Sequence, residues 1–266
     1  MGKAFSAVLT VITIVIVAIF WSRHWWFPQV ASAHGPAMDR QFVETFVAAG
    51  IGFLLSQLAL ALFAWQFGDK GDKRQIRIFP GGAKWLVTLA FVYVGLEIVG
   101  LEFVGQRVWA AQYFTPPPAD ALRVQVLSGQ FAFYFRYPGA DGKFGPIHVD
   151  KIDEGLGNFF GLDPADPGSA DDVVTAGLAL PVNKPVELLL NSKDMDHGFF
   201  VREFRVQQDI MPGMQIPIHF TPTKLGRFDI VCNQLCGLGH YNMRAFADVM
   251  SEDDFQKWLA QQAGAQ

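Results

Sequence analysis

Hydrophobic residues are distributed unevenly along this chain: three long apolar blocks come first, and short alternating runs follow. No charge interrupts Ala4 to Ser22 or Thr45 to Gly68, and Trp85 to Gly105 holds only Glu97 and Glu102. Each block is long enough to cross the roughly 30 Å of a bilayer's hydrocarbon as a helix. After Thr115-Pro116-Pro117-Pro118, which reads as a stiff polyproline-type linker, the period changes. Leu122, Val124 and Val126 alternate with polar neighbours, as do Ile216, Ile218 and Phe220. Val186 to Leu190 and Arg227 to Val231 read as more deeply buried strands. Short strands broken by Pro and Gly predict an antiparallel β-sandwich. Ser251 followed by Glu252, Asp253 and Asp254 predicts a capped final helix, with Phe255, Trp258 and Leu259 on its apolar face.

The blocks divide the chain into residues 1–33, a first transmembrane helix or a cleaved signal peptide; 34–115, a transmembrane hairpin; and 116–266, an exported domain. Lys3, the first apolar block and Ala31-Ser32-Ala33 fit a signal peptide, while Arg23, Trp25 and Trp26 fit the interfacial anchor of a retained helix. The connection between the second and third blocks carries Lys70, Lys73, Arg74, Arg77 and Lys84, a positive-inside signal. That places the loop in the cytoplasm and everything after Thr115 outside. Of the two acids in the third block, Glu97 lies nearer the middle, where a carboxylate is expensive and commonly functional, so a proton path or a partner contact is expected there. The net charge of −4 argues against a nucleic-acid partner.

The only two cysteines lie in one run, Cys232-Asn233-Gln234-Leu235-Cys236-Gly237-Leu238-Gly239-His240-Tyr241-Asn242-Met243. Thiolate, imidazole and thioether ligands favour copper or zinc over magnesium or calcium. A single blue-copper ion uses one Cys and would leave the second idle. Two thiolates can instead bridge two copper ions, each with one terminal His: His240 from the run and His197 from Asp194-Met195-Asp196-His197. Met243 supplies a weak axial contact to one ion and a backbone carbonyl, that of Gln234, serves the other. A disulfide and a structural zinc site are the blander readings, but neither uses the regular placing of His and Met after the cysteines. With this loop, the sandwich is expected to be cupredoxin-like.

From about Pro181 to Leu259 the chain resembles subunit II of haem-copper (cytochrome c) oxidases. The stretches that carry the likeness are Asn191 to Phe199, Met211-Pro212-Gly213 and Cys232 to Met243. The resemblance implies a dinuclear CuA centre held by His197, Cys232, the Gln234 carbonyl, Cys236, His240 and Met243. It implies electron entry from cytochrome c or a small copper protein, and transfer to haem held only in the partner, subunit I, for reduction of dioxygen to water. No catalytic residue is expected in this chain. The implied location is a bacterial inner membrane, with the C-terminal domain on the periplasmic side. Two departures stand out. Gln234 replaces a common Glu, removing a carboxylate for magnesium or manganese but not the copper-facing carbonyl. Phe131 and Phe133 stand where many relatives carry tryptophans at the electron entry. The alternatives are the CuA subunit of a nitric oxide reductase of the same superfamily and a membrane-anchored copper carrier or sensor. The loop from about Gly139 to Asp172 is rich in Gly, Asp and Pro, and its acids either steer a basic donor or are simply solvated.

Overall fold

A computed structural model of the chain describes residues 2–22, 26–68, 83–139 and 141–264. The basic connection and Arg23, His24 and Trp25 lie outside the described residues, apart from Lys84. The chain forms two compact units, Met1–Pro28 with Ala37–Val108, and Gln29–Pro36 with Trp109–Gln266.

The first unit is built from α1 (Gly2–Ser22), α2 (Gly35–Phe67) and α3 (Lys84–Tyr113), each long and apolar enough to cross a membrane. α2 begins well before the uncharged block because the polar stretch that includes Asp39, Arg40 and Glu44 continues the same helix. Leu55, Leu62, Leu96, Ile98 and Phe103 point outward, an arrangement suited to hydrocarbon and costly in water. Polar atoms turn inward to neighbouring helices: Ser6 Oγ donates to the Ala61 carbonyl (2.8 Å) and the Tyr93 hydroxyl to that of Ala48 (2.7 Å). Such bonds spare these groups an unsatisfied contact with lipid. Glu97 is partly exposed on α3, and Glu102 accepts a bond from Gln106 one turn away (2.8 Å).

In the second unit, ten strands form two facing five-stranded sheets. The strands are β1 (Leu122–Gly129), β2 (Ala132–Tyr137), β3 (Val173–Thr175), β4 (Leu178–Pro181), β5 (Val186–Ser192), β6 (His197–Val201), β7 (Val206–Ile210), β8 (Ile216–Phe220), β9 (Gly226–Val231) and β10 (Arg244–Met250). Their orders are β3-β2-β1-β5-β8 and β4-β10-β9-β6-β7. Two pairs, β1 with β5 and β4 with β10, run parallel, contrary to the purely antiparallel expectation. Parallel neighbours need crossover connections, and the chain supplies them by returning to each sheet after building strands elsewhere. Val124, Val126, Phe135, Leu188 and Leu190 meet Phe199, Val201, Ile230 and Ala247 in the core. Tyr137 is also buried, its hydroxyl donating to the Ala179 carbonyl (3.0 Å) and accepting from the Ala179 N–H (2.7 Å). The final helix α4 (Glu252–Ala263) packs Phe255 and Trp258 on Tyr137 and is capped by Ser251, whose Oγ accepts from the Asp254 N–H (3.2 Å).

Strand alternation also orders the long loop. Phe133, Phe135 and Tyr137 enter the core, so Tyr134 and Arg136 point the other way. Tyr134 stacks on Phe159 at 3.6 Å between ring centres, and the Arg136 guanidinium lies over Phe144 (5.3 Å) and Phe160 (5.9 Å). Arg136 is fully buried in an ion pair with Asp172 and also donates to Gln125 Oε1 (3.0 Å) and the Gly145 carbonyl (2.7 Å). Burial pushes the Asp172 carboxyl above its usual range despite this cation. Several acids of the loop already have partners: Asp163 with Lys151, Glu154 with Lys193, Asp166 with His148.

The segment before α2 belongs to this unit as well. The Ala31 N–H donates to the Glu203 carbonyl (2.8 Å), the Thr223 N–H to Ala31 (2.8 Å) and the Ala33 N–H to Thr221 (3.0 Å). Ser32 Oγ donates to the Phe204 carbonyl (2.7 Å), and Ala31 is wholly buried.

Removing one member of a buried ion pair strands the other charge and costs about 3–5 kcal/mol. Asp172→Ala should therefore lower the unfolding free energy by about that amount, read from denaturant unfolding followed by near-ultraviolet circular dichroism. Lys184→Ala, which breaks the partly exposed pair with Glu252, should cost less than about 1 kcal/mol. Equal losses would mean that Arg136 finds other partners.

Candidate metal centre

Three strands converge to make the site. β6 runs antiparallel to β9 with Phe200 opposite Val231, and β10 pairs with the other edge of β9, with Arg244 opposite Val231. The residue after β9, Cys232, therefore comes alongside the first residues of β6, His197 and Gly198. The loop 232–243 is closed at its neck by a bond from the Cys232 N–H to the Met243 carbonyl (3.1 Å). A short 3-10 turn at His240–Asn242 folds the loop back, with the Met243 N–H bonded to the His240 carbonyl (3.2 Å).

Cys232 Sγ and Cys236 Sγ stand 3.7 Å apart, and both thiols are free and buried. A disulfide would need about 2.05 Å, so the sulfurs face each other without bonding. His197 Nδ1 lies 4.0 Å from Cys232 Sγ, and His240 Nδ1 3.6 Å from Cys236 Sγ. Met243 Sδ is 3.7 Å from Cys236 Sγ, and the Gln234 carbonyl accepts from the Cys232 thiol at 3.1 Å. His197, Cys232 and Cys236 form a buried metal-competent group with donor atoms within 4.8 Å of one another. All six sequence-predicted ligand groups thus meet in one place.

The protonation pattern suits a metal. His197 Nε2 lies 2.7 Å from Asp194 Oδ1. Burial pushes the Asp194 carboxyl up, but the bonds from His197 and from the Gln130 and Met195 N–H groups outweigh it and hold it below the usual range. An ionised carboxylate only accepts, so the ring carries its proton on Nε2 and turns the Nδ1 lone pair toward sulfur. Of the two acids beside His197, Asp194 is thus the partner. Burial, followed by the neighbouring Cys232, pushes the Cys236 thiol up to about 11. Such a thiol ionises readily only with a cation bound. Soft donors, a fixed histidine and a reluctant thiol fit copper.

The remaining site residues separate. Phe131 is 39 % exposed, and its ring lies against the loop 232–243: a Cβ on Gly239 would come within 2.4 Å of it. Phe133 is only 2 % exposed and packs edge-on against Phe199 at 6.3 Å. Phe131 lies in the turn before β2 and stays at the surface, whereas Phe133, two residues on and inside the strand, turns its ring into the core. Leu235, Leu238 and Tyr241 stand exposed on the same loop. Gln234, in place of a carboxylate, donates from Nε2 to Asp209 Oδ2 on β7 (3.2 Å). Sequence reasoning did not find Gln130, which touches both halves of the site. Its only signal was adjacency to the aromatic stretch.

The sequence profile described as "Cytochrome C oxidase subunit II, periplasmic domain" matches residues 169–250, which include all six ligand groups. The "Alternative cytochrome c oxidase subunit 2" of Bradyrhizobium diazoefficiens is 35 % identical over 97 % of this chain and 92 % of its own length. The "Cytochrome c oxidase subunit 2" of Thermostichus vulcanus is 28 % identical over 95 % of this chain and 84 % of its own. Among solved structures, the periplasmic domain of subunit II of cytochrome oxidase (CoxB) of Bradyrhizobium japonicum covers 56 % of this chain and 97 % of its own, at 25 % identity and a TM-score of 0.42. Likeness that runs through the apolar helices as well as the sulfur-imidazole loop places the whole chain, and not the loop alone, in the cytochrome c oxidase subunit II family, a component of the haem-copper terminal oxidases.

Proposed function

We propose that this chain is the electron-entry subunit of its oxidase, taking single electrons from cytochrome c at a dinuclear CuA centre and passing them to haem in subunit I for dioxygen reduction. The observation that carries this reading is the pair of free, buried sulfurs 3.7 Å apart, each with its own histidine Nδ1 at 4.0 or 3.6 Å. Bound there, a copper pair supplies a one-electron couple shared between two ions. Cys232, Cys236, His197 and His240 would hold the pair, with Met243 and the Gln234 carbonyl as the remaining donors. Asp194 keeps His197 in one tautomer, and the core side chain Phe199 helps to exclude water. Phe131, half open to solvent over the loop, is the candidate entry point. No residue of this chain needs to act as acid, base or nucleophile.

The apolar helices serve as the membrane anchor, in a bacterial inner membrane with the sandwich on the periplasmic side. Glu97, partly exposed on α3, is then available to a partner helix or proton path. Retention of α1 is supported by the burial of Ala31 and Ser32 in the sandwich unit, since cleavage after Ala33 would strip these residues from it. Intact-mass measurement of the purified chain should accordingly include residues 1–33. A mature N-terminus at His34 would overturn retention.

The names of the relatives favour dioxygen over nitric oxide as the terminal acceptor. The full chain in detergent, loaded with copper, should bind two ions and give an electron paramagnetic resonance spectrum of one electron shared equally. A single copper, or zinc alone, would overturn the centre. The complex purified through this chain should carry haem and consume dioxygen rapidly with reduced cytochrome c. Faster consumption of nitric oxide would move it to denitrifying chemistry, and recovery without haem would make it a carrier.

A further inference from the structure

The ligands come from two separate segments, and the turn between β1 and β2 touches both. The Gln130 N–H donates to Asp194 Oδ2 (2.7 Å), while the other oxygen of that carboxylate holds His197 Nε2. The Gln130 side-chain amide donates to the Cys236 carbonyl (2.7 Å) and reaches Met195 Sδ (3.0 Å). One residue therefore spans from the histidine half to the cysteine half. The loop accommodates it at Gly237, whose φ is +124° and where a Cβ would sit 2.8 Å from Gln130 Nε2. Any other residue there would be strained and would push the amide away. On the next face of the loop, Phe131 closes over Gly239.

We propose that Gln130 is a positioning residue for the copper pair, a clamp that fixes the distance and orientation of Cys236 relative to His197. The proposal rests on the CuA reading above. A donor on the Cys236 carbonyl fixes the backbone from which the Cβ–Sγ arm projects, and so limits where the sulfur can sit. Asp194 likewise fixes His197, and Gln130 holds Asp194. Groups that orient metal ligands in this way typically contribute about 10–100-fold to metal affinity. A carboxylate at this position would keep the volume and the backbone bond to Asp194 but would set oxygen against the Cys236 carbonyl and remove the donor.

The test compares wild type, Gln130→Ala and Gln130→Glu as full chains in detergent. Copper affinity is read by competition with a chromogenic copper chelator, the shared-electron spectrum by electron paramagnetic resonance, and metal-free stability by thermal unfolding. The expected result is a loss of copper affinity of about 10–100-fold in both variants, an unequal or single-copper spectrum, and a metal-free melting temperature close to wild type. Wild-type affinity and spectrum in both variants would overturn the clamp. A fall in metal-free stability that accounts for the lost affinity would also overturn it, making Gln130 a general structural residue. If wild type itself shows no shared-electron spectrum, the CuA reading has failed, whatever the variants do.

Discussion

Val231 lies opposite Phe200 on one side and Arg244 on the other, and the metal centre depends on that double pairing. Without it, Cys232 would be the end of an edge strand and His197 the start of a distant one. With it, the loop 232–243 leaves and returns through adjacent strands, and its neck is pinned by the bond between the Cys232 N–H and the Met243 carbonyl. The geometry of four side chains is thereby set by sheet hydrogen bonds. A rigid scaffold of this kind suits electron transfer, where ligands should move little between redox states.

The same economy of strand alternation explains the aromatic run on β2. Its inward rings, Phe133, Phe135 and Tyr137, build the core, while its outward Tyr134 and Arg136 tie down the long loop. The run is therefore not purely a core strand. Phe131 falls just before β2, in the turn, and is for that reason free to lie against the loop 232–243. The acids of the long loop are committed in part to internal pairs, and Asp172 is buried with Arg136. Any steering of a basic donor must come from the acids that remain exposed.

Two solvents shape the two units. The helices present Leu, Ile, Val and Phe outward and spend their few hydroxyls on neighbouring carbonyls, because hydrocarbon offers no partner. The sandwich does the reverse, with polar residues outward and orphaned buried oxygens, Asp171 Oδ1 and Asp172 Oδ1, among its described residues. The short segment around Ala31 belongs by its hydrogen bonds to the sandwich, although it sits between two apolar helices in the sequence.

Sequence alone determined which candidate donors share one loop and where the long apolar blocks lie. Both depend on residue type within a short span: two sulfurs, an imidazole and a thioether in one loop, or a run of apolar side chains as long as a bilayer is thick. The capped final helix was legible for the same reason. The tertiary structure decided what joins residues far apart in the chain. It made Asp194, and not Asp196, the partner of His197. It put Gln130 between the two ligand segments, sent Phe133 inward and Phe131 outward, buried Arg136 against Asp172, and ran two strand pairs parallel. A strand edge, a carbonyl or a guanidinium carries no local mark of the partner it will find. That choice is made only when the sheets close and bring the buried polar groups together.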